Sequence, residues 1–501
     1  YPVGTNNVAL GDAALDDGSL SGSYNTALGA ASFGNLTSGT ANLAVGAYAG
    51  QNHTTGSYNV FVGEEAAVVN TTGSSNTAVG RTALYSNTTA NYNTAVGRQA
   101  AYSNTTGEQN LALGGLAFYT NTTGSYNVAL GMESLKANTT SSNNVAVGFR
   151  ALYSMSSTGD ANKSTAVGYQ AGYNSTHNVD AFGSQALYSN TTGVLSVAIG
   201  REALYSNTTA SNNTAVGYQA GYSTTTGTQN VVMGRGAMHS NSTGSYNVGL
   251  GYEALVNNTT ASNNTAIGYQ ALYSNTTASG NVAIGTNAGK VSTTAINGVF
   301  VGSSAGTTVT TGNDNTCIGY LTGYAGNGAN KLTTGYGNIL LGSSSNVAAT
   351  NNYYSIVIAG NGSTGKGSAT GFISPGAGGV YQGNNSSSWS TTSDRRLKKN
   401  IVDSTIGLAE INQLQVRNFE YRTVDEVTEL EDHTVIEKSG VQVGVIAQEI
   451  QAILPNCVKE ESTGVLSVDP DNLTWHLIKA VQELSATNDA LTARITALEG
   501  A

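Results

Sequence analysis

Ser393 and Lys398 stand five residues apart in the run SDRRLKKNI. A hydroxyl with an amine in reach across a turn is the least equipment that nucleophilic cleavage of an acyl bond requires. The amine acts as a base only if desolvation or nearby positive charge lowers its pKa, and Arg395, Arg396 and Lys399 supply such charge. The same cations also make an ordinary solvated basic patch, and spacing alone favours that plainer reading. Other constellations carry less. GSTGKGS at 362–368 lacks the spacing of a phosphate-binding loop and any helical pattern after it. Cys317 and Cys457 have no neighbours at metal-ligand spacing and read as buried free thiols. Neither a metal nor a cofactor is expected. The NTT triplets match a glycosylation sequon only as a byproduct of repetition.

Whatever positions Ser393 begins where the composition changes. Of 50 charged residues among 501, 22 lie in 1–392 and 28 in the last 109. The formal charge of −10 gives nucleic acid and anionic membranes no basic surface to meet, and no apolar run is long enough for a membrane span. The chain opens on Tyr1 without a basic-then-apolar leader, and a segment upstream of it is expected.

Before the boundary the chain repeats itself. A phrase of the form NVALG ends on glycine at Gly46, Gly63, Gly80, Gly97, Gly114, Gly131 and Gly148, always 17 residues apart. After steps of 20 and 15, through Gly168 and Gly183, the 17-residue step runs on from Gly200 to Gly319. With Gly11, Gly29, Gly342 and Gly360 the phrase occurs 21 times. A short fixed period predicts a solenoid, and the alternation of large and small apolar residues predicts strands. Seventeen residues suffice for two short strands and turns. Between Pro2 and Pro375 there is no proline to interrupt a ladder. At about 4.8 Å per coil, 21 coils make a rod on the order of 100 Å long.

Stacking in register would align two polar columns. Asn at the start of each phrase predicts a ladder of side-chain amides. Tyrosine five residues after the phrase glycine, at Tyr85, Tyr102, Tyr119, Tyr188, Tyr205 and Tyr222, with Tyr153, Tyr173, Tyr273 and Tyr324, predicts an aromatic column. Packing between coils is the ordinary role for those rings, and stacking on surface sugars the sharper one. Single coils offer little interior, so several chains side by side are expected.

Three blocks after the boundary, SDRRLKKNI, GVIAQEI at 444–450 and LSVDPDNLTWHLIKAVQEL at 466–484, resemble the peptidase S74 family, the intramolecular chaperone domain of endosialidases and other phage tail fibres. The resemblance implies that Ser393 and Lys398 form a dyad cutting the chain beside Ser393, with Asp394 and Asn400 in support. Pro470 departs from the family pattern, which commonly has an aromatic there. The phrase NTAIGYQAL at 264–272 resembles the head repeat of trimeric autotransporter adhesins, a left-handed parallel β-roll. Leu477, Val481, Leu484, Asn488, Leu491, Ile495 and Leu498 form a heptad seam, with Asn488 setting the register of parallel chains.

The expected fold is therefore mostly β: a repeat β-roll stalk over 1–342, a Gly/Ser/Asn-rich neck over 343–392, and a small α+β chaperone module over 393–501 ending in a coiled coil at about 473–499. The resemblances imply a homotrimeric phage tail fibre, made in the host cytoplasm and carried on the virion. Its partners would be upstream virion proteins and a bacterial surface receptor, most simply a glycan. A trimeric bacterial surface adhesin is the first alternative. The second, a glycan-cleaving tailspike, needs paired carboxylates, whereas Asp16–Asp17 and Glu64–Glu65 are scattered pairs.

Overall fold

A computed structural model describes residues 5–156, 163–324, 331–360, 362–374, 379–383, 389–391, 393–428, 436, 438–461 and 464–500. The chain divides into two units, 1–392 and 393–501.

The first unit is a parallel β-solenoid of about 21 turns. Its strands, β1 (Val8–Leu10) through β22 (Gly371–Ser374), pair in chain order, each parallel to the next. Pairing is in register from coil to coil: Thr94 faces Leu111, and Leu111 faces Val128. The sheet runs on through the stretch read from the sequence as a neck, ending in antiparallel β23 (Val380–Gln382) and β24 (Trp389–Thr391).

Each full coil has one strand, not the two expected. The opposite side is an arc in which alternate residues are left-handed, such as Gly97, Gln99 and Ala101 at φ 132°, 60° and 50°. Its amides still bond from coil to coil, Ala101 N to Ala117 O at 2.9 Å and Ser103 N to Tyr119 O at 3.0 Å. Left-handed backbone costs roughly 1–2 kcal/mol for a residue with a side chain. Each coil copies its neighbour, so the hydrogen bonds that offset this cost recur at every level.

The middle residue of most strands is small and points in, as Ala95, Ala112 and Ala129 do, none of them accessible; Phe61 and Phe300 fill the same inward position in their coils. The large flanking residues point out, and Val96, Leu130, Ile199 and Met233 remain 37–46% exposed. Inside, the strand alanines meet buried residues of the arc such as Ala100 and Leu84. The core is accordingly thin, and the aliphatic side of the sheet is left facing outward.

Two amide columns run through it. The phrase-start asparagines bond mainly to backbone: Asn76 Oδ1 accepts from Asn93 N at 2.9 Å, and Asn76 Nδ2 donates to Ala90 O at 2.8 Å. A second column, which the sequence reading did not single out, is the amide-to-amide ladder. Asn87 donates to Asn70 at 2.6 Å, Asn104 to Asn87 at 3.1 Å, and Asn121 to Asn104 at 2.7 Å.

The second unit is small and α+β. Two antiparallel strand pairs, β25 (Arg417–Phe419) with β26 (Gln442–Gly444) and β27 (Val458–Glu460) with β28 (Leu466–Val468), accompany α1 (Leu408–Ile411), α2 (Ala447–Ile453) and α3 (Pro470–Glu499). Ile450, Leu454 and Cys457 are its buried centre, packed by Ile411, Val468 and Leu473. Asp469 caps α3 by accepting from Asp471 N and Asn472 N, and Pro470 takes the first helical position, where its missing N–H costs nothing. Among the described residues, no helix is long and apolar enough to cross a membrane.

Candidate functional site

Ser393 and Lys398 meet. A short 3₁₀ turn, Arg395–Leu397, carries the chain back, and Lys398 Nζ donates to Ser393 Oγ at 2.7 Å. Asp394 makes the turn. Its Oδ1 accepts from Arg396 N at 2.8 Å, which caps the helix, and its Oδ2 accepts from Arg396 Nη2 at 2.6 Å. The Arg396 guanidinium holds the Asp394 carboxyl below its usual range. The acid nearest the dyad is thus engaged by arginine rather than by lysine, and the Lys398 amine has the serine hydroxyl as its partner. Asn400, two residues after Lys398, has φ 53°, a conformation asparagine tolerates better than most residues.

Both members of the dyad are exposed. A base at this position has to reach the serine hydroxyl, and Lys398 Nζ does so.

Residues 393–459 match the family model for peptidase S74, chaperone of endosialidase. The dyad is at the start of the match, whereas the third sequence block, at 466–484, lies beyond its end. A long β-solenoid joined to this domain fits a protein of the tail-fibre or tailspike type. No solved structure matches the chain.

Within the S74 module the strands and helices are tied across the sequence. Glu483 of α3 accepts from Leu408 N at 2.8 Å at the start of α1, and Arg417 of β25 pairs with Glu449 of α2 at 3.0 Å. Along α3 the heptad residues Leu477, Val481, Leu484, Leu491, Ile495 and Leu498 are each at least half exposed, and Asn488 among them is exposed too.

In the body, the tyrosine column is a face-to-face stack. Tyr85, Tyr102 and Tyr119 lie 5.0 and 5.3 Å apart, and Tyr153, Tyr173, Tyr188, Tyr205 and Tyr222 continue at 5.0–5.2 Å to His239. Where the column lacks a ring, Lys136 and Lys290 lie against Tyr153 and Tyr273. A ring inside such a stack has both faces covered. It shows solvent only its edge and hydroxyl, so the open faces that sugar stacking needs occur only at column ends.

Sequence reasoning missed a second set of tyrosines, Tyr24, Tyr58, Tyr92 and Tyr126, spaced 34 residues apart. They project from the corner before the strand and are 55–69% exposed. Their signal was legible as a period of two coils, hidden by the stronger period of one. His53 was missed as well, because one histidine at an asparagine position makes no pattern. The thiols are inert: Cys317 is fully buried and pushed up to about 12, and burial also raises Cys457. Among the described residues, no cluster of His, Cys, Asp or Glu is arranged to hold a metal.

Proposed function

We propose that this chain is the stalk of a phage tail fibre, assembled as a homotrimer by a C-terminal chaperone that then cuts itself off beside Ser393. The observation that carries the reading is the 2.7 Å contact between Lys398 Nζ and Ser393 Oγ at the head of the S74 match. In the reaction, neutral Lys398 takes the Ser393 proton, and Oγ attacks the carbonyl carbon of an adjoining peptide bond. The amine leaves with a proton, and water then hydrolyses the ester.

Two apolar surfaces support assembly. The outward aliphatic face of the sheet extends over nearly the whole body, and the half-exposed heptad stripe of α3 offers a parallel seam. Three copies burying both would also cover surfaces that a single chain leaves wet. Coupling cleavage to assembly follows if one copy shields the dyad of another. Host attachment through a surface glycan is part of the same proposal, with the virion as its setting.

The test is the mass of the purified chain. The native protein should yield a body ending near residue 393 and a separate module, whereas Ser393→Ala should yield intact chains in the same oligomeric state. A native chain that stays whole after assembly would defeat self-cleavage.

A further inference from the structure

The corner tyrosines are built differently from the stacked column. Tyr24, Tyr58, Tyr92 and Tyr126 recur at every second coil, roughly 10 Å apart along the axis at about 4.8 Å per coil. Each ring therefore faces a gap rather than another ring. The intervening coils place Ala41, Ser75 and Gln109 at the same corner. One such gap is a groove lined by Tyr92, Thr94, Gln109, Leu111, Tyr126 and Val128; none of its lining residues is charged, and the neighbouring Glu108 carboxylate accepts from Asn91 Nδ2 at 2.8 Å.

The backbone makes tyrosine an expensive choice here. Tyr24, Tyr58, Tyr92 and Tyr126 sit at φ 61–64°, where bulky side chains are disfavoured. In later coils the same corner is held mostly by Asn212, Asn263, Gly280, Asn297 and Asp314, residue types that accept this conformation readily, and otherwise by Leu195, Gln229 and a further tyrosine, Tyr246. A strained position filled in four alternate coils with the same large ring, and again at Tyr246 and Tyr354, points to something those faces contact where the two-coil spacing keeps them open.

We infer that these corner tyrosines form a groove for a neutral, linear polysaccharide lying along the rod, with successive sugars stacking on rings two coils apart. Open aromatic faces, an aliphatic floor and an amide such as Gln109 suit a pyranose ring, which has apolar C–H faces and hydroxyl edges. The uncharged lining argues against an acidic polymer or a lipid headgroup. A neighbouring copy of the chain is the competing occupant. The corner rings are more exposed than the strand aliphatics, which form the surface that close packing of copies would use first. The inference rests on the host-binding reading and gives it a site and a ligand class.

The experiment uses the assembled full chain and a ladder of neutral linear hexose oligomers, cello- and malto-oligosaccharides from dimer to octamer, with a sialic acid oligomer as the charged control. Calorimetry should show binding to neutral oligomers that tightens once they are long enough to reach a second tyrosine. Tyr92→Asn with Tyr126→Asn keeps a residue type that the corner already accepts at Asn143, and should weaken binding by roughly tenfold or more. Unchanged binding in that variant would overturn the groove and leave the host-binding reading standing. Failure of the native fibre to bind any neutral oligomer would overturn the groove. If it also binds no bacterial surface extract, the host-binding reading falls with it. A fall in the variant's oligomeric mass would assign the rings to the contact between copies and overturn the groove equally.

Discussion

The body and the S74 module are stabilised in opposite ways. In the body every coil meets near-copies of itself, through strand pairing, stacked rings and amide ladders, so its stability is a sum of similar nearest-neighbour terms. In the module each contact occurs once, as in Glu483 with Leu408 or Arg417 with Glu449. Repetition gives length and stiffness cheaply, but it leaves alignment between chains degenerate. A slip of one coil would only exchange one small or aliphatic strand residue for another, such as Thr94 for Leu111 or Leu111 for Val128. In the proposed trimer, the aperiodic module, with Asn488 among the apolar heptad residues of α3, would be the part able to specify one register.

Removing the module is therefore the harshest test of the contrast. A chain ending at residue 392 should give aggregates and oligomers of mixed register, seen as heterogeneous mass in light scattering. Homogeneous trimers from that shortened chain would show that the body aligns itself, and the division of labour would fail.

Glycine substitutions sharpen the same contrast inside one chain. At Gly97, φ is 132°, and an added Cβ would lie 2.6 Å from the carbonyl carbon and oxygen of Gly114 in the next coil. Gly97→Ala should cost roughly 3–5 kcal/mol through strain plus overpacking. At Gly464 of the module, φ is 78° with nothing within 4 Å, and Gly464→Ala should cost only about 1 kcal/mol. Denaturant midpoints of the two variants would measure the difference, and similar losses would contradict the tight coil-to-coil stacking.

What the sequence made legible follows the same division. Period and alternation announced a solenoid because each physical constraint, a left-handed glycine or an inward alanine, is repeated some twenty times. Which strand face lies inside was harder, because hydrophobicity ranks Val above Ala while the narrow coil usually takes the smaller residue, Phe61 and Phe300 being exceptions. The arc opposite the strand was invisible: its alternating left-handed residues are Gln99, Leu84 and Ala101, none with a turn signature. In the module, Ser393 and Lys398 were legible from one motif, but the part played by Asp394 was not. It holds Arg396 and shapes the turn, which no spacing rule encodes.

His53 lets a single residue interrupt the repetition. It occupies the interior column that Asn70 and Asn87 continue, against Phe33 and Phe61. Nε2–H donates to Gly56 O at 2.8 Å, and Nδ1 accepts from Asn70 Nδ2 at 2.8 Å, so the neutral ring is the form that fits. Burial lowers its pKa from 6.5 to about 4. The unfolded chain thus binds a proton that the folded coil refuses, and stability is complete above pH 6.5 and falls as pH drops from there towards 4. Over that span the loss is about 3 kcal/mol. Because the solenoid is held by neighbour terms, the loss should fall on the coils around His53, leaving those near Asn190 and the module protected. Hydrogen exchange at pH 7 and pH 4.5 would read this directly. His53→Asn, which repeats the residue at position 70, should lower protection slightly at both pH values by emptying space beside Phe33. It should also abolish the difference between them. A difference that persists in the variant would place the acid sensitivity elsewhere in the rod.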